Sequence, residues 1–414
     1  MTATRPNPIR VLFLNQAFWP DVAATAQHVD DLARHLVAQG DQVTVVASRS
    51  LYGASASTLP RRENHQGIQV FRVGLQFFGK RGIALRAIDF ALFYIAALWQ
   101  CFILPRHDVV VCLTTPPFIA LVGVLLKWFK GTRLVYWTMD LYPEVAGAAG
   151  VMKRGSLSWR LFQAVDRLCL RSSDRVVVLG ACMAKSVIDK GARPERVATI
   201  SVWSGTEEFQ GRPRAENHFE REWKTEDRLT ILYVGNFGLG HDMEAIAGAI
   251  EQLKDDDRIR WLFIGGGKAK RILEARVAAC GARNVTMGGY QPRELLPQLL
   301  EMGDAHIVSL LPGWEGLIVP CKFFSVLAAG KPVLWVGPRD SACVSILHEH
   351  ECGFEVAAGD SAALVDAIQR LAADRSTARQ MGDRGREVYR AKYSVQSACN
   401  RWREVLIDVL NSAR

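Results

Sequence analysis

The sequence predicts an α/β fold made of two doubly wound parallel-sheet domains in series. Three observations carry this. The 414 residues exceed what one ordinary core accommodates. Short runs of Val, Ile and Leu recur that are continuous rather than alternating, as in strands covered on both faces. The strand, loop, helix pattern begins twice, at "IRVLFLNQ" and again at "LTILYVGNFG". A composition of 49% hydrophobic and 22% charged residues leaves ample material for two cores.

Taken in order, "IRVLFLNQ" is a strand, "HVDDLARHLVAQG" a returning helix and "DQVTVVAS" the next strand, one right-handed parallel unit. Further strands are predicted at "IQVFRV", "DVVVCLT", "RLVYWTMD", "RVVVLG" and "VATISV". In the second half, helices at "MEAIAGAIEQL" and "AKRILEARVAAC" alternate with strands at "IRWLFIGGG", "VTMGGY", "AHIVSLL", "PVLWVG" and "GFEV". The expected boundaries are a first domain over 1–205, a charge-rich linker over 206–228, a second domain over 229–393 and a closing amphipathic helix over 394–414. The stretch from Ile83 to Leu104 is nearly long enough to span a bilayer, but Arg86, Asp89 and Gln100 interrupt it. It reads first as a helix packed on the sheet, next as an interfacial helix preceded by "FFGKRG", and last as a span.

The net charge is +9, and residues 1–210 hold all of the excess, with 24 Lys/Arg against 15 Asp/Glu. A basic half suits an anionic substrate, an anionic membrane or nucleic acid, or simply keeps the surface soluble. No aromatic-and-basic nucleic-acid motif accompanies it. Nine scattered cysteines without a C-x-x-C pair point away from a disulfide framework or a zinc ribbon. "MTATRPNPIR" runs straight into the first strand, so the expectation is a cytoplasmic chain without a secretory leader.

Candidate chemistry collects in loops that follow strands. In "FWPDVAATAQHVDDL", Thr25 either caps the following helix and faces a ligand or belongs to an ordinary turn. "YWTMDLYPE" ends a strand with Asp140 and Glu144, carboxylates suited to orienting sugar hydroxyls or acting as a base, or else to a solvated turn. "YVGNFGLGHDME" supplies Gly235, Asn236, Gly238, Gly240 and His241, a backbone able to bend around a diphosphate. "FIGGGKAKR" lacks the phosphate-loop spacing, and no convincing metal site is seen. In "GWEGLIVPCKFFSVLAAGKPV", Pro320 suits a first helical turn, Gly330 a C-terminal cap and Glu315 a sugar contact. Lys322 in the first turn opposes the helix dipole, so an anion is the gain that would keep it there; the alternative is a surface lysine.

These segments, above all "EGLIVPCKFFSVLAAGKPV" with "DLYPE", "RVVVLGACMA" and "LYVGNFGLGHDME", resemble the bacterial GT-B glycosyltransferases of family 4, in the colanic-acid or exopolysaccharide subgroup. The resemblance covers nearly the whole chain. It implies two Rossmann-like domains facing across a cleft, a UDP- or GDP-sugar donor, retention of configuration and no cofactor or bound metal. It implies a membrane-associated, polyprenyl-linked acceptor in polysaccharide biosynthesis and a peripheral location on the inner face of the cell membrane. By position, Lys322, Glu315 and Asp140 would be catalytic. Gly235, Asn236, Gly238, Gly240, His241, Tyr290, Gln291, Gly316 and Ser325 would hold the donor, and Thr25 and Glu144 would lie on the acceptor side. The chain departs from the family pattern at Leu317 and Ser325, where many members carry two glutamates, and at Leu239, where a basic residue is common. A nucleotide-sugar 2-epimerase and a non-catalytic scaffold are the rival readings.

Overall fold

A computed structural model describes residues 8–51, 58–74, 83–211, 213–225 and 227–412. The chain divides into two compact units: residues 1–201 with 316–318 and 395–414, and residues 202–315 with 319–394.

The first unit holds β1 (Arg10–Leu14), β2 (Gln42–Ser48), β3 (Arg62–His65), β4 (Ile68–Val73), β5 (Val109–Cys112), β6 (Arg133–Trp137), β7 (Arg175–Val178) and β8 (Val197–Thr199). They form one sheet in the order β3-β4-β2-β1-β5-β6-β7-β8. Val11, Val45, Val110, Val135 and Val177 are fully buried at its centre, which explains why these runs do not alternate. β1 pairs with both β2 and β5, so the winding reverses there and leaves a crevice beyond the strand ends. β3, absent from the sequence reading, is an antiparallel edge strand beside β4, and "RRENHQG" holds no apolar run to announce it.

In the helix Ile83–Ile103, the buried side chains Asp89, Phe93, Ala97 and Cys101 recur every fourth residue, one face of a helix packed inward. Among the described residues no helix is long and apolar enough to cross a membrane. The segment "FFGKRG", residues 77–82, lies outside the described residues. The C-terminal helix Val395–Asn411 groups with this unit. Its Trp402 ring lies 4.4 Å from Trp137, and Arg403 Nε stands 3.0 Å from Asp41.

The second unit holds β9 (Leu229–Asn236), β10 (Ile259–Gly266), β11 (Val285–Gly288), β12 (Ala305–Ser309), β13 (Val333–Val336) and β14 (Gly353–Val356). All neighbours are parallel in the order β11-β10-β9-β12-β13-β14, and the winding reverses between β9 and β12. Ile231, Trp261, Phe263 and Leu334 anchor its core together with Ile246 of the helix Met243–Gln252. The segment 206–228, charged in sequence, contributes core of its own. Phe219 and Trp223 stack at 4.4 Å and pack beside Leu262 and Met302. Both folds are the doubly wound kind the apolar runs predict.

Candidate functional site

The second unit's site grows from the end of β9. The helix Lys322–Ala329 begins with Lys322, and no side chain caps its N-terminus. Pro320 stands two residues before that start rather than inside the first turn; its carbonyl accepts from the Phe323 amide at 3.0 Å. Gly330 ends the helix at φ +66°, as its sequence position suggests. The Lys322 ammonium donates to the Tyr233 hydroxyl at 2.6 Å and to the Asn236 carbonyl at 3.1 Å, and lies 3.9 Å from the centre of the Tyr233 ring. Among the described residues no carboxylate forms an ion pair with it. Burial pushes its pKa down to about 7. Keeping an uncompensated ammonium there costs on the order of a few kcal/mol. Two of its three N–H groups are engaged by neutral oxygens, which leaves one for an incoming anion.

The loop after β9 folds tightly onto the ends of its neighbours. Gly265 takes φ +137°, and a Cβ there would stand 2.0 Å from the Gly235 carbonyl oxygen, so the "GGG" run at the end of β10 serves close backbone approach. A Cβ at Gly240 would meet the Trp314 ring at 2.9 Å. Leu311 N donates to the Gly240 carbonyl at 2.7 Å, tying the loop to the end of β12. His241 Nδ1 donates to the Ser309 carbonyl at 2.6 Å. Burial, with Lys322 nearby, pushes its pKa down to about 3. The ring is therefore neutral, and its Nε2 is an acceptor. The helix Met243–Gln252 is capped by Asp242, which accepts from Ala245 N at 3.0 Å, so one of its first-turn amides is already taken.

The remaining sequence-chosen donor residues separate into groups. Glu315 accepts from the Gly313 amide at 2.6 Å and closes its own loop. Gly316, at φ +72°, begins the short segment that groups with the first unit. Ser325, one turn beyond Lys322, accepts from the Ser204 hydroxyl at 3.3 Å. Tyr290 is 67% exposed and donates to the Gly266 carbonyl at 3.1 Å. Gln291 reaches only the Gly289 carbonyl at 3.4 Å. Lys322, Asn236, Gly240 and His241 thus gather at the β9–β12 reversal, and the Tyr290 hydroxyl reaches Gly266, the register partner of Asn236, whereas Gln291 contacts its own loop. Tyr233 and Trp314, which floor this site, were not singled out from sequence.

In the first unit, Asp140 follows β6. Its carboxyl enters no ion pair among the described residues, and burial pushes its pKa up to about 6. Glu144 is different: its carboxylate lies 2.5 Å from Lys190, which also lies 2.7 Å from Asp166. Glu144 is thus a member of an ion network within this unit. Thr25 does not cap the helix Ala24–Ala38. Ala23 occupies the cap position, and Asp21 accepts its amide at 2.9 Å. A residue passed over in the sequence also stands out in this unit. Gln16, at the β1–β5 reversal, is 2% exposed, and neither end of its side-chain amide finds a partner among the described residues. An unpaired buried amide costs about 1–3 kcal/mol, so a polar ligand at this position would supply what is missing. The sequence signal was there: "NQ" follows a continuous apolar strand.

Residues 24–203 match the family model described as Glycosyl transferase 4-like domain, and residues 214–388 match that described as Glycosyl transferases group 1. The chain is 28% identical to WbjE of Pseudomonas aeruginosa, assigned as a glycosyltransferase, over 64% of this chain and 66% of that one. It is 25% identical to WcaI of Escherichia coli, assigned to colanic acid biosynthesis glycosyl transfer, over 78% of this chain and 82% of that one. In fold it is similar to Anabaena HepE solved with UDP-glucose, at a TM-score of 0.70 and 14% identity over 96% of this chain and 99% of that one.

Proposed function

Because the chain belongs to the bacterial GT-B glycosyltransferases of family 4, of the exopolysaccharide type, we propose that it moves a sugar from a UDP- or GDP-sugar to a membrane-associated, polyprenyl-linked acceptor with retention of configuration. One observation carries the donor side: a lysine at the end of β9 held by neutral oxygens, with no carboxylate paired to it among the described residues. In the reaction the bond from the anomeric carbon to the diphosphate oxygen breaks. A new bond forms to the acceptor hydroxyl oxygen, and the hydroxyl proton goes to the departing diphosphate. Lys322 and the uncapped start of its helix receive the developing charge, which is chemistry this chain's own groups can supply without a metal. The neutral Nε2 of His241 accepts a donor-sugar hydroxyl. Asp140, poised near 6, and the Gln16 amide serve the acceptor hydroxyl. That HepE was solved with UDP-glucose supports a nucleotide-sugar donor, and the basic first half supports an anionic acceptor and a peripheral place on the cytoplasmic side of a membrane.

The experiment is a thermal-shift screen of UDP, GDP and their sugars, followed by transfer to a polyprenyl-diphosphate-linked saccharide with the product's anomeric configuration read by NMR. We expect one nucleotide class to raise the melting temperature, a product with the donor's configuration, and a loss of about 10²–10³ in turnover for Lys322→Met. An inverted product contradicts retention. A new epimer formed from donor alone replaces the reading with an isomerase, and no nucleotide binding replaces it with a scaffold.

A further inference from the structure

We propose that three adjacent helices of the first unit form a surface that docks on an anionic lipid bilayer. This rests on the reading of a membrane-associated acceptor and adds where the chain meets the membrane and which headgroups it selects. The helix Ile83–Ile103 is apolar on two faces. Opposite its buried stripe, Ile88, Leu92, Ile95 and Trp99 recur at helical spacing and stand in solvent, Ile95 at 68% and Trp99 at 70% exposure. A helix that needed only the sheet would carry polar residues there.

The patch continues onto its neighbours. The helix Ala120–Lys130 packs beside it and exposes Trp128 and Phe129, and the Phe129 and Phe102 rings lie 6.1 Å apart. The helix Leu157–Ser172 lies against Ala120–Lys130 and presents Leu157 and Leu161. So broad an exposed apolar face marks an interaction site.

Charge identifies the occupant. The carboxylates described on these three helices, Asp89 and Asp166, are 2% and 1% exposed. Arg160, Arg167 and Arg171 are exposed beside the leucines, and Lys130 lies 5.7 Å from the Phe102 ring. A second copy would bring the same cations against these and be repelled. An anionic bilayer offers apolar depth for the Ile and Trp side chains and phosphates for the arginines.

The test is flotation of the full chain with vesicles of phosphatidylcholine alone or mixed with phosphatidylglycerol, alongside gel filtration and a UDP-sugar thermal shift on the same samples. Binding is expected on the phosphatidylglycerol vesicles, with a blue shift of tryptophan emission. Ile95→Ser with Trp99→Ser weakens it about tenfold or more, and Arg160→Glu with Arg167→Glu removes the preference for anionic lipid. Because these side chains are exposed, the variants melt as the parent does. Parent and variants floating equally, or a parent dimer that the serine variant dissociates, would overturn the proposal. A nucleotide-sugar shift that survives such a failure would leave the transferase reading standing.

Discussion

In the first unit the Lys190 ammonium stands 2.5 Å from Glu144 and 2.7 Å from Asp166; in the second, that of Lys322 rests on a phenol and a backbone carbonyl. Both lysines are partly buried and both follow from the same fold plan. Lys190 is neutralised by its own chain, so its geometry is a fastening between the start of one helix and the middle of another. Lys322 is left short of a counter-charge where the winding of the second sheet reverses, the place where doubly wound sheets bind ligands. A lysine supplied with carboxylates reports on stability; one denied them reports on a ligand.

Removing each charge separates the two roles. Lys190→Met strands Glu144 and the buried Asp166 and should lower unfolding free energy by about 3–5 kcal/mol in urea titration. Lys322→Met should leave stability unchanged or raise it. Since the folded pKa of Lys322 lies near 7, below its ordinary 10.5, the cost of burying its charge is present in full below about 7 and fades as pH rises toward 10.5. The stability gap between the parent and Lys322→Met should therefore narrow over that window. A gap that is constant with pH would place the ammonium in solvent.

A smaller effect extends the comparison to an uncharged group. Gln16→Leu replaces an amide that lacks partners, so unfolding free energy should hold or rise by about 1 kcal/mol while acceptor turnover falls about tenfold. Loss of stability at unchanged turnover would make Gln16 a core residue.

How much of this was legible beforehand depends on how far each signal reaches along the chain. Continuous apolar runs gave thirteen of the fourteen strands among the described residues, because burial on both faces writes itself locally. β3 escaped because an edge strand need bury little, and its "RENH" buries only His65. Gly330 and Lys322 were readable from the helix between them. Tyr233, 89 residues from Lys322, was not, because only tertiary packing brings the phenol beneath the ammonium. The ion pair of Glu144 was hidden for the same reason: its partner Lys190 lies 46 residues away. Thr25 looked like a cap from residue type alone, but the helix begins one residue before it and Asp21 holds the turn. Phe219 and Trp223 were hidden by the charges around them.

The most direct test is calorimetric titration of the nucleotide diphosphate into the protein at pH 8, in two buffers of different ionisation enthalpy. Free Lys322 is then mostly neutral and the bound anion restores its proton, so uptake should approach one proton per nucleotide and vanish in Lys322→Met. Equal enthalpies in the two buffers, or uptake that persists without the lysine, would contradict the account.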